Sequence, residues 1–211
     1  TNSTGNSNVF IGNFAGFSNS SGTYNIGMGV SAGRLNSIGI CNVFIGNDAG
    51  YKNTSGNFNT YIGAAAAYEL NSSFNTVMGT NSGRFINSGS SNTFIGVNSA
   101  YRLGKGSQNT FVGSDCGRGG GDGYVPNPSD PESASGNVFM GFYAGGSIYN
   151  GDYNVMIGNY AGNGLYSGSS NVAIGHLAGN NNSTGNNNVF IGYQAGNSLS
   201  SGLGNVFIGY R

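Results

Sequence analysis

The chain has 211 residues, 41 of them glycine, and its seven Lys and Arg residues balance seven Asp and Glu residues at a formal net charge of zero. Charged residues make up 7% of the chain, against about 25% in ordinary soluble domains. This balance argues against a nucleic-acid partner, which demands a basic surface, and no apolar run reaches the roughly 18 residues of a membrane helix.

One short motif recurs along the whole chain. It is Asn, then Val, Thr or Ile, then a variable residue, then Ile, Val or Met, then Gly. In chain order its asparagines are Asn8, Asn25, Asn42, Asn59, Asn75, Asn92, Asn109, Asn137, Asn154, Asn171, Asn188 and Asn205. Consecutive motifs are 17 residues apart, except for one interval of 16 residues after Asn59 and one of 28 residues after Asn109. The pattern predicts twelve coils, whose positions are numbered here from 1 at each Asn.

Glycine and small residues stand at fixed positions within each coil. Position 5 is always Gly, position 9 is usually Gly, and position 8 is always small, as in Ala15, Ser82 and Cys116. Gly at fixed places indicates turns, and no helical period of 3.6 residues appears. Short strands of this kind bury a face only by stacking. The sequence therefore predicts an all-β fold, a single parallel β-solenoid (β-roll or β-helix) over residues 1–211, with an 11-residue loop insertion within residues 118–136.

The alternation within the main strand predicts which side chains point inward. The Asn at position 1 is expected to form an internal ladder, with its amide bonded to the coils above and below. Positions 2 and 4 are always apolar or Thr, and we expect them to face inward, which places position 3 outside. The outward row would then be a protomer contact in a fibre, unless these rings fill the core instead; its members are Phe10, Phe44, Tyr61, Phe94, Phe111, Phe139, Phe190 and Phe207. An inward position 2 also hides Thr60, Thr76, Thr93 and Thr110, which argues against an ice-binding face.

Segments such as Asn188-Val-Phe-Ile-Gly-Tyr-Gln-Ala-Gly196 and Asn92-Thr-Phe-Ile-Gly96 carry a resemblance. They resemble the N-[TV]-x-I-G-x-x-A-G repeats of bacterial and phage fibre proteins. They are also similar in pattern to the β-roll heads of trimeric autotransporter adhesins, whose coils are shorter. The resemblance covers nearly the whole chain outside the insertion. It implies an extracellular fibre at a cell surface or on a virion, often a trimer.

Position 10 forms a second row that changes character along the chain. Seven successive coils carry only an aromatic residue or Arg there, namely Phe17, Arg34, Tyr51, Tyr68, Arg84, Tyr101 and Arg118. The later coils carry Gly146, Asn163, Asn180 and Asn197 instead. Rings and guanidinium groups at coil spacing can stack into a stabilising ladder or a protomer contact. The alternative is a ligand strip for surface glycans.

The insertion holds all three prolines and three acids, Asp122, Asp130 and Glu132. Insertions in repeat proteins project from one face and often bind partners. These acids could hold a cation, but their spacing matches no established calcium loop. A tolerated surface loop is the alternative.

Nothing in the sequence assembles a catalytic site. His176 is the only histidine, so neither a catalytic triad nor a histidine-rich metal site can form. Asp48 and Asp115 lie in coils too far apart for paired acid–base catalysis, and Cys41 and Cys116 are expected to be beyond disulfide reach. We therefore predict no enzyme activity, no metal site and no cofactor.

Six Asn-x-Ser/Thr sequons are possible glycosylation sites, and their turn-rich context predicts that they are accessible. They are Asn2, Asn19, Asn53, Asn71, Asn181 and Asn182. Neither end of the sequence shows a capping segment, so we expect open strand edges that pair with further copies or continue a longer fibre. The sequence as a whole predicts a structural fibre or tail-fibre segment whose partner is itself, end to end or laterally as a trimer. The alternative is an adhesin that recognises surface glycans.

Overall fold

The computed structural model of the chain describes residues 4–119 and 133–211. Twelve strands of three residues stack in chain order as one parallel sheet. They are β1 (Val9–Ile11), β2 (Ile26–Met28), β3 (Val43–Ile45), β4 (Thr60–Ile62), β5 (Thr76–Met78), β6 (Thr93–Ile95), β7 (Thr110–Val112), β8 (Val138–Met140), β9 (Val155–Ile157), β10 (Val172–Ile174), β11 (Val189–Ile191) and β12 (Val206–Ile208). Equivalent coil positions pair, as Val9 does with Ile26. The predicted parallel β-solenoid is confirmed.

Backbone hydrogen bonds join the coils outside the strands as well. The amide of Val9 donates to the carbonyl of Asn25 in the next coil over 2.8 Å. In the turn after the strand, the amide of Gly16 donates to the carbonyl of Ala32 over 2.9 Å. Backbone hydrogen bonds therefore join each coil to the one before it in the turns as well as in the strand. Contacts of this kind between nearest neighbours are typical of a repeat protein.

The asparagines at position 1 form one continuous ladder. In a typical coil, the Asn42 side-chain amide donates to Asn25 Oδ1 over 3.1 Å and to the carbonyl of Gly56 over 2.8 Å. The Asn42 backbone amide also donates to Asn25 Oδ1, over 3.0 Å. Every hydrogen-bonding group of the inner carboxamides is thus used, which is what burial of a polar side chain requires. The ladder joins each coil to its neighbour and also closes each coil onto its own turn.

The ladder continues through both irregular intervals of the repeat. Across the 16-residue coil, Asn75 N donates to Asn59 Oδ1 over 2.9 Å. Across the 28-residue interval, Asn137 N donates to Asn109 Oδ1 over 3.0 Å, and Asn109 Nδ2 donates to the carbonyl of Ala134 over 2.7 Å. The ladder geometry therefore stays constant where the sequence spacing does not.

The prediction that positions 2 and 4 face inward and position 3 faces outward is wrong. Position 3 faces the core, and positions 2 and 4 face outward, because a strand alternates with a period of two and the inward Asn at position 1 shares its face with position 3. Six members of the row expected to lie outside are fully buried, namely Phe44, Tyr61, Phe94, Phe111, Phe139 and Phe190. Phe10 is half-buried in the first coil, and Phe207 is 39% exposed in the last. The six buried rings are core residues and are not available for a protomer contact, whereas Phe10 and Phe207 end the same column in the first and last coils.

Glycine at position 9 makes room for these rings. A Cβ on Gly50 would lie 2.5 Å from ring carbons of Phe44, and the φ of Gly50 is +59°. Position 5 is glycine for a different reason: at Gly46 the φ is +129°, and a Cβ would lie 2.5 Å from the carbonyl oxygen of Gly63 in the next coil. Two glycine columns are therefore fixed by ring packing and by coil stacking.

We expect Asn92→Ala to lower the free energy of unfolding by about 2–4 kcal/mol, because it leaves ladder groups buried without partners. Asn92 Nδ2 donates to Asn75 Oδ1 and to the carbonyl of Gly106, and Asn92 Oδ1 accepts two bonds from Asn109. Chemical denaturation followed by circular dichroism measures the loss. The matched control is Asn181→Ala, an exposed asparagine, which should change stability by less than about 0.5 kcal/mol. Equal losses in the two variants would contradict the ladder's role.

Tyr61 is the tyrosine of the buried ring column, and its hydroxyl has no hydrogen-bond partner. Burial raises the pKa of this hydroxyl far above its usual value, and the nearby Asn75 side chain offsets only part of the effect. We expect Tyr61→Phe to stabilise the fold by up to about 1 kcal/mol, since it removes an unsatisfied buried group. The reverse change, Phe94→Tyr, should cost about 1–3 kcal/mol in the same denaturation assay. A clear loss of stability in Tyr61→Phe would show that the hydroxyl is needed.

Candidate interaction surfaces

The outward side of the sheet carries two apolar columns that run the length of the stack. Position 2 is Val, Ile or Thr and position 4 is Ile, Met or Val in all twelve coils. Their side chains are half-buried to exposed; Val9 is 48% exposed and Met140 43%. The residues at positions 2 and 4 therefore lie on the surface and not in the core.

Two further columns border the strands, at position 17 before the Asn and at position 6 after the Gly. Both contain large exposed side chains, among them Tyr24, Phe58, Phe74, Tyr153, Val97, Phe142, Tyr193 and Tyr210. Phe58 and Phe74 stack with ring centroids 5.4 Å apart, and Tyr193 stacks on both His176 and Tyr210. We call positions 17, 2, 4 and 6 together the sheet face.

The threonine row at position 2 lies on the surface for the same reason. Thr60, Thr76, Thr93 and Thr110 occupy position 2 in four successive coils and are half-buried on the sheet face. Because these threonines point outward, their orientation no longer excludes an ice-binding face.

A second surface follows positions 10 and 11 of the first seven coils, and we call it the arginine edge. It contains the position-10 row Phe17, Arg34, Tyr51, Tyr68, Arg84, Tyr101 and Arg118, together with Lys52, Glu69, Phe85 and Arg102 at position 11. Tyr51 and Tyr68 stack with centroids 4.8 Å apart. The Arg34 guanidinium lies 4.8 Å from the Phe14 ring and donates to Tyr51 Oη over 3.2 Å. Rings and guanidinium groups thus cover one another's faces along the edge.

The charges of the arginine edge are only partly compensated. Lys52 pairs with Glu69 over 2.9 Å, and Arg118 lies 3.7 Å from Asp115. Within residues 4–119 and 133–211, no carboxylate lies within ion-pair distance of Arg34, Arg84 or Arg102. Arg84 instead donates to Asn81 Oδ1 over 2.9 Å and stacks on Phe85, while Arg102 stacks on Tyr101. Three half-buried guanidinium groups are therefore left with unmatched positive charge.

The sequons differ in accessibility, so the expectation that all are exposed is wrong. Asn19, Asn53 and Asn182 lie at inward position 12 and are buried, whereas Asn71 and Asn181 are exposed. Asn19, Asn36 and Asn53 form a short second ladder there, and Asn53 Oδ1 is left without a partner because the next coil has Leu70. Asn2 lies outside the described residues. Of the five sequons within the described residues, Asn71 and Asn181 are therefore the two open to modification in the folded chain.

The insertion acids Asp122, Asp130 and Glu132 also lie outside the described residues. Among the residues that the structure describes, no group of three or more His, Cys, Asp and Glu side chains could hold a metal ion. Cys41 and Cys116 are both free thiols. Asp48 and Asp115 sit at position 7, each with a positive φ, in coils four apart.

Cys116 is buried at position 8 among the alanine column, and burial raises the pKa of its thiol to about 12. A thiol with a raised pKa stays protonated well below that value, and the thiolate is the reactive form. We therefore expect iodoacetamide at pH 8 to alkylate the half-buried Cys41 and to spare Cys116 until denaturant is added. Peptide mass spectrometry of native and unfolded samples measures both sites. Equal rates at the two cysteines in the native protein would contradict the burial of position 8.

Comparison with known proteins adds no assignment, since no family model, curated protein or solved structure matches the chain. In the described residues no helix is long and apolar enough to cross a membrane. The sheet face and the arginine edge are therefore the features of the molecule that bear on its function.

Proposed function

We propose that the chain is a structural module of an extracellular fibre and that copies of it associate laterally through the sheet face. The observation that carries this proposal is the orientation of positions 2 and 4, which exposes two apolar columns along all twelve coils. If the apolar side chains of positions 2 and 4 lay in the core, the fold itself would shield them from water. Because they lie on the surface, only another molecule can shield them.

The size of the sheet face supports this role. With strands about 4.8 Å apart and residues about 3.3 Å apart along the chain, a face of four columns and twelve coils covers roughly 1,000 Å². Specific interfaces bury about 800 Å² on each partner, and monomers rarely expose apolar patches of this size. The bordering Phe and Tyr residues add the residue types that are enriched in protein–protein interfaces.

The chemistry of the face favours a second copy of the chain as the partner. The four columns of the sheet face contain no Lys, Arg, Asp or Glu in any of the twelve coils, and His176 at position 6 is their one histidine. A neutral, periodic surface is complementary to the same surface on another copy, because the coil spacing of the two is identical. The extracellular location, at a cell surface or on a virion, and the trimer are supported by the resemblance of the repeat to fibre proteins and adhesin heads.

The test places two charges on the sheet face. Ile95 and Ile174 are each 37% exposed at position 4 of separate coils. We expect Ile95→Lys with Ile174→Lys to weaken association by about 100-fold or more, since each lysine would lose its hydration in the interface. Sedimentation equilibrium measures the mass, which should be a multiple of 21.5 kDa for the natural chain and fall to 21.5 kDa in the variant.

The matched control is Ile38→Lys. Ile38 is 56% exposed but lies at position 14, away from the sheet face, so this variant should assemble like the natural chain. A natural chain that sediments as a monomer at its highest soluble concentration would overturn the proposal. Thermal hysteresis from such a monomer, lost when Thr76 and Thr93 are replaced by Lys, would assign the face to ice instead.

A further inference from the structure

We propose that the arginine edge binds a linear acidic polysaccharide, which lies along the solenoid axis and is held by guanidinium groups. The site is separate from the sheet face, because the turn at positions 7–9 lies between them. The proposal therefore goes beyond the structural function and does not depend on it.

The fold does not need the arginine edge. Coils eight to eleven carry Gly146, Asn163, Asn180 and Asn197 at position 10. They nevertheless stack with the same backbone hydrogen bonds as the earlier coils; Gly145 N donates to the carbonyl of Ala161 over 2.9 Å, as Gly50 N does to that of Ala66. The aromatic and Arg residues of the first seven coils are therefore additions to a coil that is stable without them.

The arginine edge concentrates the positive charge of the chain. Five of its seven basic residues lie on the edge, namely Arg34, Lys52, Arg84, Arg102 and Arg118. Two of these five face a carboxylate partner, whereas Arg34, Arg84 and Arg102 have none among the described residues. Ring contacts hold the three unmatched guanidinium groups in place, at 4.8 Å for Arg34 over Phe14 and 5.3 Å for Arg102 over Tyr101. An ordered guanidinium group loses little side-chain freedom when it binds an anion.

The ring contacts of the arginine edge determine which groups of a ligand it can recognise. The rings of Tyr51 and Tyr68 face each other at 4.8 Å, and other rings of the edge lie against guanidinium groups. These faces are covered, so neither sugar rings nor nucleobases can use them as stacking platforms. A glycan therefore binds the edge through carboxylate or sulfate groups that pair with Arg, and not by stacking on the aromatic rings as predicted. The rings act as positioning residues for the guanidinium groups.

The spacing of the arginines also suits an extended ligand. Arg84 and Arg118 lie at position 10 and Arg102 lies at the adjacent position 11 of the coil between them, so successive arginines are one coil apart, about 4.8 Å along the axis. That interval is comparable with the advance of one monosaccharide along an extended polysaccharide, so successive uronic acids could each meet one guanidinium group. Single-stranded nucleic acid is disfavoured, because its binding depends on base stacking and a strongly basic groove. Bidentate Arg–carboxylate pairs supply the affinity.

The experiment titrates the full chain with polygalacturonate, alginate and heparin, with neutral dextran and oligo(dT) as comparison probes. We expect binding to the acidic polysaccharides that weakens as salt is raised, and no binding to dextran. The variant Arg84→Gln with Arg102→Gln should lower the affinity by about 100-fold, at about tenfold for each charged hydrogen-bonding group removed. Circular dichroism checks that this variant folds, which is expected because later coils carry Gly or Asn at position 10 and Ser, Gly or Asn at position 11.

The matched control is Lys105→Gln, which removes one positive charge from an exposed residue at position 14. It should bind as the natural chain does, and Tyr51→Ala with Tyr68→Ala should bind more weakly through loss of positioning. Failure of all three acidic polysaccharides to bind at low salt would overturn the proposal. It would also be overturned by equal losses in the Lys105 and Arg84–Arg102 variants, or by tighter binding of oligo(dT) than of any polysaccharide.

Discussion

The structure depends on one interaction, the pairing of each position-1 carboxamide with that of the next coil. An Asn side chain has two donor hydrogens and an oxygen with two lone pairs, so it can repeat along a column with every group satisfied. In the inner coils the oxygen accepts from the backbone and side chain of the next Asn, while the amide donates to the previous Asn and to a carbonyl of its own coil. A carboxylate in the same column would repel its neighbours. A glutamine would carry its amide past the partner by one methylene.

The ladder also determines what each other position does. Because position 1 points inward, the two-residue period of a strand directs position 3 inward and positions 2 and 4 outward. The buried rings then fill the space between the strand and the glycines of position 9, and the apolar residues of positions 2 and 4 are left on the surface. The long exposed apolar face thus has two causes: the ladder directs positions 2 and 4 outward, and the sequence places apolar residues or Thr at both positions.

The sequence predicts the coil number, the parallel stacking and the asparagine column, because these follow from spacing alone. The prediction of side-chain orientation fails because position 3 varies between Phe, Tyr, Met, Val, Ala and Gly, and such variation is typical of a surface column. The variation has a packing cause: a Cβ on Gly27 would lie 2.8 Å from the Phe10 ring, so neighbouring coils share one volume. Val, Ile and Thr at position 2 suit strands whether they are buried or exposed, so their uniformity does not identify a core.

Position 12 is a buried column that the sequence does not reveal, because its residue changes between Asn, Leu and Ile while its inward direction stays the same. The covered ring faces of the arginine edge depend on rotamers, which spacing does not reveal.

In a stack held together by backbone bonds and an inner ladder, the outward columns are free to change from coil to coil, and most of them do. Position 6 ranges from Asn13 to His176 and Tyr210, and position 10 switches from Arg and aromatic residues to Gly and Asn after the seventh coil. Positions 2 and 4 do not change in this way, since each stays apolar or Thr in all twelve coils. Internal packing does not explain that uniformity, because these side chains lie outside the core. The second copy proposed for the sheet face would cover these columns along their whole length, whereas the polysaccharide proposed for the arginine edge would contact only the first seven coils.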